Sequence, residues 1–247
     1  MRNHLSLRSG NPALNKNTFK GLQTSEGQIM TIDGTVNKTS IALIILLVSA
    51  YYTFSTSNTN FIFIGFIAGL ILAIATIIKK QWAPITVPIY AICEGLALGG
   101  ISSIYESMYT GIVQQAIFLT IGIFAALLFA YKTKIIKATE NFKLGVFAAT
   151  GGIALVYLVS FVMSFFGSGL SIMSIQNASI MSIGFSVFVV IIASLNLVLD
   201  FDFIEEASEI GVPKYMEWYA TFGLLITLIW LYLEILRLLA KLQSRRN

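Results

Sequence analysis

Residues 60–78 read NFIFIGFIAGLILAIATII, nineteen positions without a charged side chain. A helix of that length matches a hydrocarbon core about 30 Å thick, and apolar runs of roughly 17 to 25 residues are the mark of a membrane span. Similar runs lie on either side of it, at 39–54, 85–105, 111–131, 144–166, 180–199 and 218–240. Seven transmembrane helices are therefore expected, and an all-α integral membrane protein.

Composition agrees. The 247 residues are 56% hydrophobic and 11% charged, with mean hydropathy +0.81, whereas ordinary soluble domains are about 25% charged. A soluble fold of this size would leave a large apolar remainder exposed, so membrane lipid is the expected partner of the surface. The formal charge of +4 and pI near 9.1 do not point to nucleic acid, because the basic residues gather at the ends of the apolar runs. Cys93 is the single cysteine, so no intramolecular disulfide is available and nothing indicates an oxidising compartment.

Residues 1–38 form a polar tail without the apolar core of a signal peptide, so the first run is expected to act as an uncleaved anchor. A transmembrane domain over 39–241 and a basic tail over 242–247 complete the division. Arg2, Arg8, Lys16, Lys20 and Lys38 precede the first run, Lys79 and Lys80 follow the second, and Lys132, Lys134, Lys137 and Lys143 separate the fourth from the fifth. The alternate loops carry neither Lys nor Arg, which predicts a cytoplasmic N-terminus. The end of the chain fits this less simply. The loop after the sixth run is acidic, with Asp202, Glu205, Glu206, Glu209 and Glu217 against Lys214, and Arg237, Lys241, Arg245 and Arg246 follow. Seven crossings place this basic end outside; a re-entrant last segment places it inside.

Small residues recur every fourth position as Gly65, Gly69 and Ala73 in the second run, and as Ala91, Gly95, Gly99 and Ser103 in the third. Such stripes let helix backbones approach closely, and packing within one bundle is the expected use. Pro84 and Pro88 fall in the first turns of the third span, where a missing N–H costs little, although Pro88 is placed to kink it.

Chemistry is sought among acids within apolar runs, since a charge at the bilayer centre costs about 3 kcal/mol even on insertion scales. Glu94 lies in the middle of the third run beside the small-residue stripe. Asp200 and Asp202 close the sixth, where they are either solvated at the membrane surface or functional. Glu234 lies within the seventh and either neutralises Arg237 three residues on or acts as a titratable gate. Asn196, one turn before Asp200, shares its helix face. Lys79 and Lys80 read as interfacial anchors. The only histidine, His4, is in the tail, which leaves no Ser-His-Asp or H-E-x-x-H arrangement for the spans. No Walker, G-x-S-x-G or dinucleotide glycine fingerprint occurs either. A paired-carboxylate protease lacks flanking motifs, so no enzyme is expected.

Several strings together resemble the Bax-inhibitor (transmembrane Bax inhibitor motif, YccA/YetJ-like) family in its bacterial branch. They are Asn11-Pro12-Ala13-Leu14, Tyr90-Ala91-Ile92-Cys93-Glu94-Gly95, residues 197–206, Pro213-Lys214-Tyr215-Met216-Glu217-Trp218-Tyr219, and Leu-Tyr-Leu-Glu ending at Glu234. The resemblance implies a seven-helix bundle with the last helix central, in a bacterial cytoplasmic (inner) membrane. It also implies a calcium leak controlled by pH through two aspartates on the last two helices. Asp200 matches the first of these, and Glu234, one methylene longer, stands where the second belongs. The family's nearby arginine has no clear counterpart, Lys79 or Lys80 being nearest in sequence order, and about ten extra residues separate the acids. If Asp200 and Glu234 meet, they would share a proton and titrate as a unit. Asp200, Asp202 and Glu234 are also candidate Ca²⁺ ligands, although Ca²⁺ asks for six to eight oxygens. No cofactor is expected beyond Ca²⁺ as a transported or bound ion.

The expected function is thus a pH-sensitive cation leak channel or transporter, with Ca²⁺ the favoured ion and Asp200, Glu234 and Glu94 as proton-sensing or gating residues. The alternative is a non-transporting modulator of a membrane protease or another membrane partner.

Overall fold

The computed structural model describes residues 28–167 and 169–246. Most of the polar tail lies outside the described residues, including His4, Arg2, Arg8, Lys16, Lys20 and the Asn11 to Leu14 string; so does Asn247 of the basic tail. The helices are α1 (Ile32–Thr56), α2 (Asn60–Ile78), α3 (Ala83–Met108), α4 (Ile112–Lys132), α5 (Glu140–Ser164), α6 (Ile180–Ile210) and α7 (Met216–Arg246). All seven are long and apolar enough to cross a membrane. Phe63, Phe118 and Phe166 are more than half exposed, as lipid-facing side chains of a multi-pass membrane protein are.

Local chemistry explains where the helices depart from the apolar runs. α1 starts seven residues before the run at 39, because extended Thr31 caps it: its Oγ1 accepts from the Gly34 N–H at 3.0 Å, and Asp33 sits in the first turn. Thr139 caps α5 in the same way, accepting from the Phe142 N–H at 3.3 Å. α3 follows a single 3-10 turn, Lys80–Trp82, and continues through Pro88.

The largest departure concerns α6, which runs 31 residues instead of stopping near Leu199. Asp200 and Asp202 are therefore within a helix, which ends only before Gly211 in the left-handed region at φ 74. α7 is likewise one uninterrupted helix of 31 residues, about 46 Å long at 1.5 Å per residue. That length is enough to cross the bilayer.

The described residues fall into two compact units. One comprises 109–201 and 227–246, the other 28–108 and 202–226. In the second unit α3 packs against both α1 and α2, and its glycines explain how. A Cβ on Gly65 would strike the Cys93 carbonyl oxygen, and one on Gly95 or Gly99 would strike the carbonyl oxygen of Leu46 or Ala50. The small-residue stripes thus serve backbone approach inside the bundle. Thr76 Oγ1 donates to Thr86 Oγ1 at 2.7 Å across α2 and α3, and the Tyr90 and Phe222 rings meet edge to face at 5.1 Å.

In the first unit, buried Ile153, Val189 and Ile192 pack with Ala149, Tyr157, Phe185, Leu195 and Trp230. Phe201 at the unit's end of α6 touches Phe124 and Tyr131 of α4, ring centroids 5.6 and 5.8 Å apart.

Candidate functional site

Glu234 is 2% exposed on α7, between the buried Leu231 and Ile235. One turn on, Arg237 Nη1 donates to both carboxylate oxygens, at 2.8 and 2.9 Å. From α5 the Tyr157 hydroxyl donates to Glu234 Oε1 at 2.5 Å and accepts from Arg237 Nη1 at 3.0 Å, with the guanidinium 5.5 Å from its ring centroid. Each member of this triangle thus holds the other two. A buried carboxylate needs such partners, since leaving it alone would cost several kcal/mol.

Asp200 belongs to the same unit. It is fully buried in α6, after the equally buried Leu197 and Val198, and α6 carries the chain ten residues beyond it, so of its two readings the solvated one does not hold. Asp202 is half-buried and falls in the other unit. Among the described residues no three His, Cys, Asp or Glu side chains are grouped to hold a metal ion.

Asn196 is 1% exposed, and both its amide protons are used, by Thr150 Oγ1 at 2.9 Å and the Ile192 carbonyl at 2.8 Å. Glu94 is half-buried, and its carboxylate lies over Gly69, where a Cβ would come within 2.5 Å of Oε1. The glycine of the α2 stripe thus makes room for the acid.

The pairing of Glu234 with Arg237, one of the two readings of their spacing, is present; Lys79 lies 4.6 Å from the Trp82 ring and Lys80 5.9 Å from the Tyr219 ring. Two features escaped the sequence. Tyr157 carries no signal that sets it apart from the other aromatics of the apolar runs, and only its hydrogen bonds to Glu234 and Arg237 show it. Glu217, read as part of an acidic loop, is fully buried at the start of α7. It is ion-paired with Lys38 and accepts from the Thr31 N–H and hydroxyl, each at 3.0 Å. The segment before α1 pairs beside it, through Met30 N–H to Val212 O at 2.8 Å and Lys214 N–H to Gln28 O at 3.0 Å.

The fold and site together define a seven-helix membrane protein with carboxylates buried among its helices. A family model described as Bax inhibitor 1 like matches residues 11–244, so the chain belongs to the Bax inhibitor 1-like family. No curated protein matches it.

Proposed function

We propose that this protein is a pH-sensitive cation leak or transporter, with Ca²⁺ as the favoured ion and Asp200 and Glu234 as its gating acids. The observation that carries this reading is the burial of both acids in one compact unit, at 0% and 2% exposure. Nothing in packing alone requires an acid there, and apolar side chains of similar volume stabilise a buried site as well or better. Protonating Glu234 would weaken its hold on Arg237 and Tyr157, which gives pH a route to helix α7. The protein is not an enzyme in this reading, and its N-terminus faces the cytoplasm of a bacterial inner membrane.

The test is Ca²⁺ flux into proteoliposomes at several pH values, for wild type, Asp200→Asn, Glu234→Gln and the double variant. Coupled acids give a double variant no worse than either single one. Additive effects would separate the acids and leave Glu234 as the partner of Arg237 and Tyr157. No flux at any pH would turn the assignment to the non-transporting modulator of a membrane protease.

A further inference from the structure

Residues 28–31, before α1, lie along the turn that joins α6 to α7. Met30 N–H donates to Val212 O at 2.8 Å and Lys214 N–H to Gln28 O at 3.0 Å, which sets Ile29 opposite Pro213 in an antiparallel bridge. Lys214 Nζ adds a bond to Gln28 Oε1 at 2.6 Å. Met30 is 1% exposed, whereas Gln28, Ile29 and Thr31 are exposed.

One hydroxyl joins this segment to two helices. Thr31 Oγ1 accepts from the Gly34 N–H, which caps α1, and donates to Glu217 Oε1 in the first turn of α7; the Thr31 N–H donates to the same oxygen. Among the described residues the Glu217 side chain has hydrogen bonds from Thr31 and Lys38 alone. The buried carboxylate is thus satisfied by the start of α1 and by no side chain of its own helix. Such a hold is weaker than its bonds suggest, because each replaces a bond to water and a buried charge gives up its hydration. Segments with few buried apolar contacts and exposed backbone hydrogen bonds open well before the whole fold does.

We propose that residues 28–31 are a strap over the α6–α7 turn that opens and closes as one unit while the helices stay folded, with Thr31 as its latch on Glu217. Closed, it ties the start of α1 to the turn between the two helices that carry Asp200 and Glu234. The proposal is independent of what the protein conducts, because its test reads opening and not flux.

The N–H groups of Met30, Thr31 and Lys214 report on the strap, since each is hydrogen-bonded across it. Hydrogen exchange is followed residue by residue on the full chain in detergent, for wild type, Thr31→Ser and Thr31→Asp. In wild type the three amides should share one protection factor, below that of amides in the middle of α3. Aspartate caps a helix as well as threonine does, but its carboxylate repels that of Glu217. Thr31→Asp should therefore lower the three together, by about ten- to a hundredfold for the bonds lost to a charged group, and leave α3 unchanged. Thr31→Ser should keep the wild-type value. A disulfide between Ile29→Cys and Pro213→Cys, in a Cys93→Ala background, should raise all three until it is reduced. Wild type and the disulfide variant decide the matter by themselves if Thr31→Asp does not fold. The proposal is overturned if the three amides differ in protection or exchange as slowly as α3 in wild type. It is overturned equally if Thr31→Asp leaves them unchanged or lowers α3 by as much, or if the disulfide has no effect.

Discussion

The Tyr157 hydroxyl lies 2.5 Å from Glu234 Oε1, a hydrogen bond joining residues 77 positions apart. It makes α5 a party to the state of an acid on α7, which the i, i+3 pairing of Glu234 with Arg237 alone would not. Loss of one hydrogen bond to a charged group costs about 1.5–3 kcal/mol. Tyr157→Phe should therefore lower the Tm measurably and displace the pH midpoint of flux. An unchanged pH profile would reduce Tyr157 to a packing residue.

Arg237 and Glu234 should behave as a pair. Removing one partner of a buried pair typically costs about 3–5 kcal/mol, while replacing both by apolar side chains is often nearly neutral. Arg237 is partly exposed, its side chain at 23%, which places its loss toward the lower figure. Arg237→Leu is expected to melt below the double variant Glu234→Leu with Arg237→Leu. Destabilisations of the two single variants that add up in the double variant would show that the two do not depend on one another.

At the start of α7, the carboxylate of Glu217 fills the space beside Gly34, where a Cβ would lie 2.7 Å from Oε2. Thr31 and Lys38 hold that carboxylate, so it has little room to give way. Overpacking costs about 1–3 kcal/mol, against a gain of up to about 1 kcal/mol in helix propensity. Gly34→Ala should thus lower the Tm. A variant as stable as wild type would mean the Glu217 contact yields freely.

Glu94, in the middle of α3, lies over Gly69 of α2. Glu94→Gln keeps its shape and should leave the Tm within error of wild type while changing the pH dependence of flux. Coincident curves from pH 5 to 8 would make it a structural residue.

Orientation is checked with thiol labelling. Lys134 is exposed between α4 and α5, and Gln176 between α5 and α6. With Cys93 replaced by Ala, Lys134→Cys should resist impermeant reagents in intact cells and Gln176→Cys should react. The reverse pattern would invert the topology.

Apolar runs long enough to cross lipid announced the seven helices, because in hydrocarbon each backbone polar group must be satisfied within its own segment. The glycine stripes of α2 and α3 were legible for a similar reason: close approach tolerates few residue types. The ends of the helices were less so, since α1 starts early on the Thr31 cap and α6 runs on through the buried Asp200, neither of which hydropathy registers. The strings that resemble the Bax-inhibitor family carried the membership that the match over residues 11–244 established. What only tertiary structure decided is which polar side chains meet. Glu234 and Arg237 are one turn apart and invited pairing, but Tyr157 reaches them from another helix, and Lys38 reaches Glu217 across 179 positions. Lys241 reads as part of a basic end, yet three oxygens from 55 to 69 residues away surround its Nζ. Hydropathy is a property of each residue and survives in the one-dimensional string; satisfaction of a buried charge is a property of its neighbours, and the fold alone supplies them.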